Sequence, residues 1–141
     1  MAYFAATPRR VEFSDTDMAG IAHFSAFFRW MEAAEHELLR SLGLSVYSKL
    51  AGGDVVSFPR VAAECDYRSP ARCEDLLEIE VDVDRIGTKS VAYRFRFLLA
   101  GVEIAEGKMT SVCCRIVADT PPQSIPLPDE IVDGLRPFVA A

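Results

Sequence analysis

The chain has 141 residues, half of them hydrophobic, and a formal net charge of −6 at pH 7. That is one domain's worth of core, residues 1–141. The acidic balance disfavours nonspecific nucleic-acid binding, which needs Lys and Arg against phosphates, and no apolar run approaches the roughly 18–20 residues that span a bilayer. A soluble protein with neither nucleic acid nor membrane as partner is expected.

The opening MAYFAATPRR has no basic leader followed by a long apolar stretch, which points to the cytoplasm. A first strand is predicted from Arg9 to Ser14, with Val11 and Phe13 alternating against polar neighbours. Asp15, Thr16 and Asp17 break that pattern, Ala19-Gly20 supply turn chemistry, and from Ser25 the period becomes helical. Ser25 is the expected N-cap, and Gly43 the stop signal. Phe27, Met31, Ala34, Leu38 and Leu42 recur at three- and four-residue spacing, widened by Phe28, Trp30 and Leu39, so this face is buried. Arg29, Glu32, His36 and Arg40 lie along another side, a solvated or subunit-facing edge.

Leu44 to Gly53 reads as a connection. Val55 to Phe58 and Val61 to Arg68 form one extended segment interrupted by Pro59, which marks a bulge or an edge because it cannot donate to a ladder. Ser69-Pro70-Ala71 turns the chain. Leu77, Ile79, Val81 and Val83 then alternate with Glu78, Glu80, Asp82 and Asp84, a strand with one wet face. Beyond Gly87-Thr88 the apolar set is Val91, Tyr93, Phe95, Phe97 and Leu99, with Arg94 and Arg96 on the opposite parity. A hairpin centred on Gly87 sets Glu80 against Arg94, Glu78 against Arg96, Leu77 against Phe97 and Ile79 against Phe95. A last strand follows from Val102 to Val117, broken at Gly107, then an extended tail with a short helix from Asp129 to Leu135.

The four cysteines, Cys65, Cys73, Cys113 and Cys114, make no CxxC pair and no zinc spacing with His, so no metal site is expected and the thiols read as reduced. Strand, long helix and four antiparallel strands make an α+β fold. One helix covers only part of one sheet face, so the apolar load calls for a second subunit.

Strand, the turn Asp15-Thr16-Asp17-Met18-Ala19-Gly20-Ile21, a long helix and an antiparallel sheet together resemble the hot-dog fold acyl-CoA thioesterases of the 4-hydroxybenzoyl-CoA thioesterase-like family. The segments PRVAAECDYRSPARCEDLLEIEV, RIGTKS and LPDEIVDGL extend the resemblance over nearly the whole chain. It implies a five-stranded antiparallel sheet wrapped around one long helix, hydrolysis of an acyl-CoA substrate without a cofactor, and a homodimer or homotetramer with sites at subunit boundaries. It assigns catalysis to Asp17, as nucleophile or general base, and carbonyl polarisation to the backbone amide of Phe24 or a near neighbour.

The physical logic agrees with that assignment. Thioester hydrolysis builds negative charge on an oxygen, and the start of a buried helix offers preorganised N–H donors. An Asp before a helix also serves as a plain turn or capping residue, and Asp15 is read that way. Gly20 and His23 are counted with the substrate contacts, His23 with three open readings: orienting Asp17, touching substrate, or filling the pocket wall. For the CoA end the resemblance points to the turn Gly87, Thr88, Lys89 and Ser90, with Arg60 and Arg68 as weaker candidates; Lys89 suits a phosphate. A thioesterase acting on acyl carrier protein and a noncatalytic acyl-CoA binding module are the alternatives. The acyl group is not legible from the sequence.

Overall fold

Reciprocal bonding between Glu12 and Asp15 ends the first extended segment early. In the computed structural model, which describes residues 2–49 and 53–140, the elements in chain order are β1 (Phe4–Ala5), β2 (Arg9–Arg10), a 3-10 turn (Phe13–Asp15), α1 (Ala26–Ser41), β3 (Tyr47–Lys49), β4 (Val55–Ser57), β5 (Arg60–Tyr67), β6 (Leu76–Ile86), β7 (Ser90–Leu99), β8 (Val102–Val112), β9 (Cys114–Ile116), β10 (Gln123–Ser124), α2 (Asp129–Leu135) and a 3-10 turn (Arg136–Phe138). The predicted first strand to Ser14 is therefore too long. The Asp15 carboxylate accepts the Glu12 amide at 2.9 Å, and the Glu12 side chain accepts from the Asp15 backbone in return. This capping box curls the chain into a turn early, leaving Val11 buried and Phe13 84% exposed.

The main sheet runs β1-β6-β7-β8-β5, antiparallel throughout, with β2 sharing the outer edge of β6. It is five strands wide, as expected. The central hairpin keeps the predicted parity, with Leu77, Ile79, Val81 and Val83 buried against Tyr93, Phe95 and Phe97, but its register differs by two residues. Ile79 faces Phe97, Val81 faces Phe95, Glu80 faces Arg96 and Asp82 faces Arg94. Two features cause this. The turn closes between Gly87 and Ser90, where the Gly87 amide donates to the Ser90 carbonyl at 2.8 Å, and Asp84 is bulged out between Val83 and Arg85.

A second sheet, β10-β9-β4-β3, was not anticipated. Its strands are too short for periodicity to reveal. The chain passes between the two sheets at Pro59 and at Cys113, so Pro59 marks a corner rather than an interruption within one strand. The long last strand breaks at Cys113, not at Gly107: the Cys113 amide donates to Lys89 and its carbonyl accepts from Ile125. Within the predicted connection, Tyr47–Lys49 pairs with β4; residues 50–52 lie outside the described residues. The helix expected at Asp129–Leu135 is present with those bounds.

Helix α1 packs on the inner face of the main sheet through Phe27, Trp30, Met31, Ala34, Leu38 and Leu39. The Phe27 ring meets Phe97 at 5.1 Å and Trp30 at 4.9 Å, both near perpendicular, contacts worth about 0.5–1.5 kcal/mol each beyond area burial. Gly43, at φ +74°, ends the helix in a Schellman motif, its amide donating to Arg40 and that of Leu44 to Leu39. Ser25 does not cap it. Its backbone is already helical at φ −69°, ψ −21°, with no side-chain cap bond. Among the described residues no helix is long and apolar enough to cross a membrane.

Candidate active site

The acidic turn is built from its own backbone. Thr16 bridges Ala22, the Asp17 amide donates to the Ile21 carbonyl at 3.0 Å, and the Gly20 amide donates back to the Asp17 carbonyl at 2.9 Å. Gly20 takes φ +80°, where a β-carbon is strained. One carboxylate oxygen of Asp17 accepts the Ala19 amide at 2.9 Å, which fixes the side chain as an Asx turn does. The Ala22 amide then donates to Ala71 at 2.7 Å, pinning the turn to the loop that follows β5. Asp15 has the turn-forming role expected of it, bonded to the Glu12 amide and paired with Arg29 at 3.3 Å.

These tethers open a cleft of about 470 Å³ between the turn, the first turn of α1 and the end of β5, walled by Asp17, Phe24, Phe27, Tyr67, Arg68 and Ala71, among others. Asp17 and Phe24, to which the resemblance assigns catalysis, both line this cavity. Among the described residues the Phe24 amide has no intramolecular acceptor, so a donor of the helix N-terminus remains available to a ligand. A carboxylate and an unspent backbone N–H, on two residues that line one cleft, are the minimum set for attack on a polarised carbonyl.

The remaining predicted residues divide. His23 flanks the cleft: its ring lies over Phe24 at 4.4 Å, and its Nδ1 sits 2.8 Å from the Ser25 hydroxyl. Arg60 does not face the cleft. Its guanidinium bonds Glu35, Ser111 and the Phe58 carbonyl. Gly87, Thr88, Lys89 and Ser90 lie at the other end of the strands, Ser90 being seven residues along β7 from Phe97, roughly 23 Å by strand rise. There Gly87 and Thr88 border a second cleft of about 840 Å³ with Arg85 and Arg136. Within one chain the two clefts are separate.

Two residues escaped the sequence reading. Tyr67 lines the cleft, and its hydroxyl donates to the Phe24 carbonyl at 2.8 Å; only the fold brings β5 there. Glu35 is buried on the sheet side of α1, and burial pushes its carboxyl up to about 7 against the opposing pull of Arg60 and Ser111. Its position four after Met31 and three before Leu38 was a readable signal. Burial also raises the thiols of Cys65 and Cys113 to about 11, so neither is a thiolate nucleophile near neutral pH.

A model of the thioesterase-like superfamily matches residues 11–135, and the chain belongs to that superfamily. A 1,4-dihydroxy-2-naphthoyl-CoA hydrolase of Synechococcus sp. (strain CC9605) is 35% identical over 114 residues, covering 78% of this chain and 73% of the relative. Among solved structures, a gentisyl-coenzyme A thioesterase is similar at 28% identity and TM-score 0.80, covering 92% of this chain and 98% of its own. A thioesterase superfamily protein from Jannaschia sp. CCS1 matches at 27% identity and TM-score 0.84, over 99% and 95%. The architecture is the hot-dog fold of these thioesterases.

Proposed function

We propose that this protein hydrolyses acyl-CoA thioesters to the free acid and CoA, with Asp17 as the reacting carboxylate and the Phe24 amide polarising the thioester carbonyl. The observation that carries this reading is the shared cleft: Asp17 and Phe24 both line one cavity at the start of a buried helix, and the Phe24 amide has no acceptor among the described residues. The names of the relatives support the same chemistry. Attack by the Asp17 carboxylate on the carbonyl carbon expels CoA thiolate and leaves a mixed anhydride that water opens. Alternatively, Asp17 takes a proton from the water that attacks, and CoA leaves from the tetrahedral adduct. In both routes the oxyanion needs a fixed donor, which the Phe24 amide supplies.

The cleft wall of Phe24, Phe27 and Tyr67 is aromatic. With two relatives named for aromatic acyl-CoAs, this favours an aromatic acyl group. The turn Gly87–Ser90 borders a different cleft from the same chain's Asp17, which supports a dimer or tetramer in which one copy supplies Asp17 and another the turn. Strand β5 is an edge strand carrying Val61 at 63% exposure, a surface suited to a second copy. Four free thiols and a CoA substrate fit the cytoplasm.

The test is release of CoA thiol by the full chain from a panel of aromatic and aliphatic acyl-CoAs. Turnover of an aromatic member is expected. Tight binding without turnover contradicts the enzyme reading in favour of a binding module, and release only from acyl carrier protein moves the carrier.

A further inference from the structure

Both ends of a single peptide group are held from outside the helix it starts. The carbonyl of Phe24 accepts the Tyr67 hydroxyl at 2.8 Å, from β5, 43 residues away. The N–H of the same peptide, on Ser25, donates to His23 Nδ1 at 3.3 Å, and the Ser25 hydroxyl lies 2.8 Å from that ring nitrogen. His23 is itself fixed, its amide donating to the Asp15 carbonyl at 2.7 Å and its ring lying against Phe24. Tyr67 is braced by edge-on packing against Phe27, centroids 5.1 Å apart at 82°. These contacts stand where a side-chain cap is missing, since Ser25 makes none.

We infer that Tyr67 and His23 are positioning residues, a two-sided clamp on the Phe24–Ser25 peptide that fixes the direction of the neighbouring Phe24 amide into the cleft. The inference rests on the reading of that amide as the carbonyl-polarising donor. A donor stabilises a developing oxyanion to the extent that it is already aimed and needs no reorganisation. A helix's first turn frays easily, because its N–H groups lack intrahelical partners. Holding the peptide just after the donor removes its rocking about the Phe24 backbone dihedrals. The clamp also ties the donor to the cleft wall: Tyr67 lines the cavity and grips the peptide with the same side chain.

Tyr67→Phe keeps the ring, the packing on Phe27 and the cleft wall, and removes one hydroxyl. Its kcat is expected to fall about tenfold, the scale of one lost hydrogen bond, with KM within about twofold and a thermal midpoint lowered by no more than about 5 °C. His23→Ala falls in the same way, and His23→Asn, whose side-chain oxygen can stand in for Nδ1, recovers part of the loss. The double variant Tyr67→Phe/His23→Ala loses less than the product of the singles, since both act on one peptide. Independently of turnover, amide exchange of Ser25 followed by NMR on the full chain is expected to speed up about tenfold or more in each single variant. No thiol release by the wild type would sink the thioesterase reading and with it the catalytic role of the clamp. Wild-type turnover with an undiminished kcat in Tyr67→Phe, or Ser25 exchange unchanged in both variants, would overturn the clamp alone.

Discussion

The thioether of Met31, on the buried face of α1, rests where a β-carbon on Gly107 of β8 would sit. Gly107 lies in register between Phe95 of β7 and Cys65 of β5, so the helix settles onto the sheet at its one bare backbone position along that row. Gly107→Ala is expected to destabilise the fold by about 1–3 kcal/mol through overpacking, read as a lower denaturation midpoint. In a Met31→Ala background, itself destabilised by about 2–5 kcal/mol, Gly107→Ala should cost less than it does in the wild type, because the two side chains compete for one space. Additive effects of the two changes would contradict the contact.

Glu35 gives the stability a pH signature. Burial raises its carboxyl from 4.5 to about 7, while Arg60 and Ser111 pull it down and Glu32 pushes it up; His36 and Tyr93 complete its charged and titratable surroundings. Between those two pH values the folded chain binds a proton that the unfolded chain has lost, so this group's contribution falls as pH rises through the window. Thermal unfolding at pH 5 and pH 8 should show the wild type losing stability relative to Glu35→Gln, by about 3 kcal/mol at most. Parallel pH curves for the two proteins would refute it.

Asp82 is fully buried on the face of the hairpin that the sequence reading made wet. It is held by Arg94 at 3.0 Å and Arg96 at 3.1 Å. Asp82→Ala leaves two partly buried guanidinium groups without their shared carboxylate, a loss of about 3–5 kcal/mol. Glu80, paired with Arg96 at 3.2 Å but partly open to solvent, should cost under about 1 kcal/mol when replaced by Ala. Chemical denaturation of the two variants separates these outcomes, and equal losses would mean that Asp82 is not the anchor.

What was legible in the sequence is what depends on neighbours along the chain. Period-two alternation identified which side of β6 and β7 faces inward, because parity survives a two-residue change of register; the register itself depended on the Gly87–Ser90 turn and the bulge at Asp84. The resemblance to the thioesterase family is what pairs Asp17 with Phe24; the chain's own pattern shows only an acidic turn ahead of a helix start. Tyr67 and Arg60 could not be placed. Their partners lie 43 and 25 residues away, and no local pattern says where the end of an edge strand lands on a helix. Glu35 breaks an otherwise apolar stripe, and what makes its burial tolerable, Arg60 and Ser111, is again supplied across the fold. The second sheet, with strands of two or three residues, falls below the length at which alternation is visible.

The measurement that bears most directly on the account is Asp17→Asn compared with the wild type in steady-state hydrolysis of the best aromatic acyl-CoA, alongside binding of that thioester. Asn keeps the acceptor for the Ala19 amide, so the turn should survive and thioester binding should be retained. The kcat of Asp17→Asn is expected to fall by about two or more powers of ten with binding little changed. Hydrolysis at the wild-type rate in Asp17→Asn, in a folded protein, would contradict it.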